Sequence, residues 1–186
     1  MSDTSSDVAR SRRGVFGYIR PVVTIRSARI EDVPDLARVH HESSEAAYAE
    51  LAPPDPARLS RREESWREVF AMPERSPFVA EADGQVVGVM DIGPARDELG
   101  AGEVYVLYVH PDWWGTEAGQ RLLDRAHEEL SRQHEQAVLT VLAANPRARR
   151  FYERNGWRLD RVKTEPHFGG AQTEVAVYRK RFGSTE

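Results

Sequence analysis

The 186-residue sequence predicts an α/β domain built on a mixed sheet. Three observations carry that prediction. A strand-like run from Glu103 to Val109 is ended by His110, Pro111 and Asp112, and passes through a tight turn into a helical pattern. A second apolar run follows at 137–142. Strand, helix of about 17 residues and strand make a crossover unit, so the two strands should lie parallel with a right-handed connection. Upstream, Phe78 to Glu81 and Val86 to Ile92 flank Asp83-Gly84, residues that tolerate positive φ, and read as an antiparallel hairpin.

The elements follow in order. Residues 1–20 carry four arginines (Arg10, Arg12, Arg13, Arg20) against Asp3 and Asp7, with little to bury, and read as a disordered tail. Residues 21–182 read as one domain without internal repeats. Val22 to Ala28 alternates as a first strand. Asp32 and Pro34 then open a helix over about 32–49 through Leu36, Val39, Ala46 and Ala47. Its His40 and His41 point about 100° apart, which disfavours a shared metal. Ala52-Pro-Pro-Asp-Pro56 is a loop, and a second helix over 60–70 turns Trp66, Val69 and Phe70 inward. A Gly- and Pro-containing connection, 93–102, leads into the central strand.

That central strand is almost wholly β-branched, aromatic or aliphatic, as expected where both faces are covered. Beyond Gly115, Leu122, Leu123, Ala126 and Leu130 recur at helical spacing, with Arg125, Glu128 and Glu129 largely opposite, so the helix starts near Thr116. Asn145-Pro146 reads as an N-cap followed by proline in the first turn. Ala148, Phe151 and Tyr152 share a face of that helix, and Asn155-Gly156 closes it. Trp157 to Lys163 and Glu174 to Arg179 supply two last strands around a flexible loop at 166–170.

Composition narrows the function. A hydrophobic fraction of 40%, a charged fraction of 30% and a net charge of -4 describe an ordinary soluble domain with no advertised affinity for nucleic acid or anionic membranes. With no cysteine, disulfides, thiolate metal sites and cysteine nucleophiles are excluded. No apolar run approaches about 18 residues and no signal peptide is visible, which reads as a cytoplasmic protein. Neither a G-x-S-x-G elbow, nor a lysine-bearing phosphate loop, nor G-x-G-x-x-G occurs. His127 and His134 share a helix face but are separated by about 10.5 Å of rise, too far for one metal.

The turn into the second crossover element has chemical consequences. The first N–H groups of a helix lack intrahelical partners and its start is electropositive, so the end can bind phosphate. Gly115 and Gly119 equally serve a tight turn and close packing.

Two segments carry a family resemblance: Leu107-Tyr-Val-His-Pro-Asp-Trp-Trp-Gly-Thr-Glu-Ala-Gly-Gln-Arg-Leu-Leu123 and, after the intervening strand, Asn145-Pro-Arg-Ala-Arg-Arg-Phe-Tyr-Glu-Arg-Asn-Gly-Trp157. Together they resemble the GNAT (Gcn5-related) N-acetyltransferases, over nearly all of the chain but the tail. The resemblance implies a mixed, mostly antiparallel sheet of six or seven strands with a splayed central parallel pair and about four helices. It also implies acetyl-CoA as acyl donor and no metal. The acceptor is an amine, a small molecule or a peptide N-terminus or lysine, attacked directly in a ternary complex. The family often forms homodimers, which leaves a homodimer open here.

Residue by residue, the resemblance places the donor on the backbone of Leu107, Tyr108 and Val109, on the loop Trp114, Gly115, Thr116, Glu117, Ala118, Gly119 and Gln120, and on Asn145. It implies a bulge near Leu107 to Val109 that frees an N–H for the thioester carbonyl, Tyr152 as proton donor to the departing thiolate, and Glu103 as general base. Glu103 shares the parity of Leu107 and Val109 if the strand is regular. An ordinary polar strand start and a core aromatic are the structural alternatives for Glu103 and Tyr152, and His110 is a weaker base. The family's Q/R-x-x-G-x-G/A falls on Trp114 to Gly119, where Trp114 replaces a polar residue and Glu117 a glycine. A carboxylate beside a diphosphate adds repulsion of roughly 1 kcal/mol in water. This substitution supports an alternative: a non-catalytic module of the same fold, binding acyl-CoA or another ligand and acting through protein contacts.

Overall fold

The computed structural model describes residues 22–48, 55, 57–167 and 171–183. The segment read as a tail lies outside them, as do positions 52–54 and 56 of the first predicted loop. Seven strands form one sheet in the order β1-β2-β3-β4-β5-β7-β6. They are β1 (Thr24–Ser27), β2 (Ser76–Ala82), β3 (Gln85–Pro94), β4 (Gly102–Val109), β5 (Gln136–Leu142), β6 (Arg158–His167) and β7 (Ala171–Arg181). Every neighbouring pair is antiparallel except β4 and β5. The hairpin between β2 and β3 turns on Asp83 and Gly84, at φ 50 and 74, the mirror-image turn whose twist suits two strands.

Four helices cover the sheet: α1 (Val33–Tyr48), α2 (Arg58–Phe70), α3 (Ala118–Ser131) and α4 (Pro146–Arg154). One core lies under α3, where Leu122, Leu123 and Ala126 meet Phe78, Ala80, Met90 and Val104. Burying each such leucine contributes roughly 1.5–3 kcal/mol. The other lies under α1 and α2, where Leu36, Val39 and Trp66 meet Val79 and Val89. The central strand is therefore covered on both faces because α1 and α3 sandwich it. No helix among the described residues is long and apolar enough to cross a membrane.

Two elements depart from the sequence pattern. Pro166 lies within β6, opposite Gln172, not in a loop. β6 is the edge of the sheet, and an edge strand tolerates a residue that cannot donate to the ladder. The central strand is also irregular: Asp91 faces Val106 and Ile92 faces Val104, so Tyr105 is an extra residue in β4. This bulge lies two residues before Leu107, outside the segment for which the resemblance implied one. It reverses the alternation upstream. Val104 joins the α3 side with Leu107 and Val109, and Glu103, opposite Gly93 in register, moves to the α1 side with Val106 and Tyr108. The expected parity of Glu103 with Leu107 and Val109 fails for that reason.

Candidate acyl-donor and acceptor site

β4 and β5 pair over three positions, from Gly102 with Ala137 to Val104 with Leu139, and then part. Beyond Val104, the β5-facing edge of β4 carries no ladder, and a cleft of about 1290 Å³ opens there between the strands and extends under α1 and α2. Leu107, Tyr108, Val109, Trp114, Gly115, Thr116, Gly119, Gln120, Asn145 and Tyr152 all line it. Glu117, Ala118 and Glu103 do not.

At the upper end is the start of α3. Gly115 has φ 79, the left-handed region that glycine enters without strain. The Thr116 hydroxyl donates to the Trp113 carbonyl at 2.7 Å and accepts from the Ala118 N–H at 3.3 Å. The first helical backbone bond runs from the Arg121 N–H to the Glu117 carbonyl. The N–H groups of Gly115, Glu117, Gly119 and Gln120 therefore have no acceptor among the described residues. A Cβ on Gly119 would meet Val109 and Phe151 at 3.6 and 3.8 Å, ordinary contact distances, so internal packing does not demand glycine there. Its bareness leaves the cleft wall open. Arg147 and Arg154 line the same cleft. Open N–H groups at a helix start with two guanidinium groups in the same cleft wall make a site for a diphosphate.

Glu117 points away from it. Its half-exposed carboxylate accepts from Arg121 one turn on, at 3.1 Å. Trp114, where the family pattern has a polar side chain, braces the mouth: its indole N–H donates to the Val109 carbonyl at 2.6 Å, and the Arg147 guanidinium stacks 3.6 Å over its ring. Gln120 ties α3 to the end of α4 through Asn155 at 2.7 Å.

Deeper in the cleft, three tyrosines converge. Asn145 caps α4 by accepting from the Ala148 N–H at 3.0 Å, and its amide donates to the Tyr48 hydroxyl at 3.0 Å. Tyr48 and Tyr108 line the cleft together with Tyr152. Tyr152, on the buried face of α4, makes no hydrogen bond through its hydroxyl to another described residue. Burial, and then the nearby Tyr48, raise its pKa above the usual phenol value, so it keeps its proton at neutral pH. His40 stacks on Tyr108 at 4.5 Å between ring centroids. Its pKa is held well below 6.5 by burial, then by Arg62 and His41, so the ring is neutral. Ser43 donates to the Val109 carbonyl at 2.9 Å.

Glu103 is 5% exposed and belongs to a separate cluster. Its carboxylate takes the Arg96 guanidinium at 2.5 Å and the Arg96 backbone N–H at 3.0 Å, fastening the 95–101 connection to β4. His110 pairs with Glu42 at 3.0 Å. His127 accepts the Trp157 indole N–H at 3.0 Å, and burial followed by Lys180 lowers its pKa to about 4, which marks a structural imidazole. No group of three or more potential ligands that could hold a metal occurs among the described residues.

The sequence reading missed Tyr48, the Tyr108 hydroxyl, Ser43, Arg62 and the bracing role of Trp114. One signal was available: His40, Ser43 and Ser44 interrupt the inward face of α1 with polar groups, and all three are buried. Polar residues on a core face need partners or a cavity.

Fold and site together define a domain with a deep cleft between two parting parallel strands. The chain belongs to the Acetyltransferase (GNAT) family, whose model matches residues 37–157. An uncharacterized N-acetyltransferase of Archaeoglobus fulgidus is 30% identical over 155 residues, 81% of this chain and 99% of that protein. The uncharacterized N-acetyltransferase YuaI of Bacillus subtilis is 32% identical over 115 residues, 59% of this chain and 65% of that relative's length, just under two thirds. Among solved structures, PaiA N-acetyltransferase from Thermoplasma acidophilum in complex with coenzyme A superposes with a TM-score of 0.66 at 21% identity, covering 87% of this chain and 99% of that one. YncA from Salmonella typhimurium with its cofactor acetyl-CoA gives 0.68 at 20% identity, covering 87% and 95%.

Proposed function

We propose that this protein transfers an acetyl group from acetyl-CoA to a primary amine by direct attack within a ternary complex. The observation that carries the proposal is the parting of β4 from β5 beside a helix start whose N–H groups are open. Relatives of the same fold with coenzyme A or acetyl-CoA bound support the donor.

In this reading the donor's diphosphate lies on the N–H groups of residues 115–120 with Arg147 and Arg154 nearby, and its pantetheine runs along Leu107, Tyr108, Val109 and Asn145. The amine lone pair attacks the thioester carbonyl, whose oxygen takes up charge beside the unladdered edge of β4. Collapse forms the amide, breaks the C–S bond and passes the Tyr152 proton to the thiolate, while the proton that the attacking nitrogen loses goes to water and water reprotonates Tyr152. The attacking nitrogen must be neutral, because an ammonium has no lone pair. Glu103 takes that proton only if Arg96 releases it; otherwise the acceptor enters as its neutral fraction.

The test is calorimetry with acetyl-CoA on the full chain, followed by thiol release in the presence of an amine panel. Micromolar binding with amine-dependent release is the expected result. Binding without release from any amine would favour the non-catalytic module, and no binding would end both readings.

A further inference from the structure

The acceptor half of the cleft is short of negative charge in one place. α2 presents Arg58, Arg61 and Arg62 to it. Arg58 is engaged by Glu45 and Arg61 by Asp55. Arg62 is different: it has no carboxylate within ion-pair distance among the described residues, and its Nε is buried without a hydrogen-bond partner. Burial lowers its pKa from 12.5, Tyr108 opposes that shift, and Arg58 and Arg61 add to it. A half-buried guanidinium beside two arginines whose carboxylates are already taken gains nothing from this placement in the free protein. Removing such a charge from water without a partner is costly, and an anion arriving there would relieve the cost.

Position adds the second part of the argument. Arg62 lines the same cleft as Tyr48, Tyr108 and Tyr152. The unpaired guanidinium therefore faces the chamber where the reacting amine belongs and lies on a different helix from the diphosphate site. Guanidinium is suited to a carboxylate because its planar fork matches both oxygens.

We infer that the acceptor is an amine that also carries a carboxylate, such as an amino acid or short peptide with a free carboxyl group, and that Arg62 recognises the carboxylate and so orients the amine. This rests on the acetyltransferase reading, and it excludes polyamines as preferred acceptors, since their second charge would meet Arg62 with the wrong sign.

The test uses the full chain saturated with coenzyme A. Calorimetry compares N-acetylated amino acids and short peptides with their C-terminal amides, in the natural sequence, Arg62→Met and Arg62→Lys; thiol release compares the free amines with their amides. The expected result is that carboxylated probes bind about 10- to 100-fold tighter than their amides. Arg62→Met should erase that gap and Arg62→Lys restore part of it, with acetyl-CoA affinity unchanged and, because an unpartnered charge is removed, the melting temperature of Arg62→Met equal to or above that of the natural sequence. Equal binding of acids and amides, a gap that survives Arg62→Met, or a preference for polyamines overturns the inference. A tenfold loss of acetyl-CoA affinity in Arg62→Met also overturns it and assigns the residue to the donor. Discrimination without thiol release would keep the anion site and refute acetyl transfer. Release without discrimination would do the reverse.

Discussion

Replacing Glu117 by glycine restores the residue usual for the family's loop, and the structure argues that acetyl-CoA affinity will barely change. A lone carboxylate about 7 Å from a doubly charged diphosphate costs roughly 1.2 kcal/mol in water, about sevenfold in affinity. Glu117 is not alone. Its carboxylate is 3.1 Å from Arg121 and half exposed, so the diphosphate sees a neutral pair, and the residual effect falls to about twofold. Removing Glu117 also removes a favourable charge at the α3 start and an i,i+4 pair, together about 0.5–1 kcal/mol. For a chain of this length that lowers the melting temperature by about 1–4 °C. Calorimetry and thermal melts on the two proteins read both quantities. Arg121→Ala supplies the contrast, because it exposes the carboxylate and should weaken acetyl-CoA binding by more than Glu117→Gly changes it. A gain above about tenfold in Glu117→Gly would mean that the carboxylate turns inward when the donor is present, and would refute the placement of its charge outside the cleft.

Two further outcomes follow from the site. Tyr152→Phe removes a cleft phenol that is protonated and makes no hydrogen bond to another described residue, and should lower turnover by about ten- to a thousandfold while leaving acetyl-CoA affinity within about twofold; unchanged single-turnover rates would strike it from the mechanism. Glu103→Gln breaks a buried pair that fastens the 95–101 connection, and should cost about 1–3 kcal/mol of stability. Because the natural carboxylate lies outside the cleft and is held by Arg96, the pH–rate profile of this variant should match that of the natural sequence; a turnover loss above about a hundredfold in the folded variant would instead establish Glu103 as the base.

The parts of this molecule visible in its sequence are those fixed by neighbours in the chain. Asp83-Gly84 names its turn because two successive residues must adopt positive φ. Asn145-Pro146 names the start of α4 because the cap and the missing N–H act within one turn. The crossover was legible from apolar runs at 103–109 and 137–142. What stayed hidden depends on partners far away. The bulge at Tyr105 is a matter of how β4 registers against β3, and no local pattern of alternating side chains records it. Its consequence was to put Glu103 on the other face. The Arg96 pairing depends on the path of residues 95–101, where Gly100 turns the chain at φ 84, and it explains why a glutamate at a suggestive position is buried outside the cleft. Arg62 looked like one more charge in a charged helix.

The arginines make the same point at the scale of charge. The chain has a net charge of -4, a sum that implies no attraction for anions. Yet among the described residues the cleft is lined by Arg58, Arg61, Arg62, Arg147 and Arg154 against a single acidic residue, Asp55. Charges of one sign along low-dielectric walls concentrate their field inside the cleft while the acidic remainder faces solvent. In the proposed reading the two ends divide the labour: Arg147 and Arg154 serve the donor's phosphates, and the α2 arginines serve the acceptor. Once Arg58 and Arg61 are taken by Glu45 and Asp55, Arg62 is the charge left for a ligand to satisfy. A cleft built only to hold coenzyme A would need its cations at the α3 and α4 end, and a half-buried, unpaired guanidinium on α2 would be a cost without a return. The acceptor is therefore the ligand to which the arrangement points.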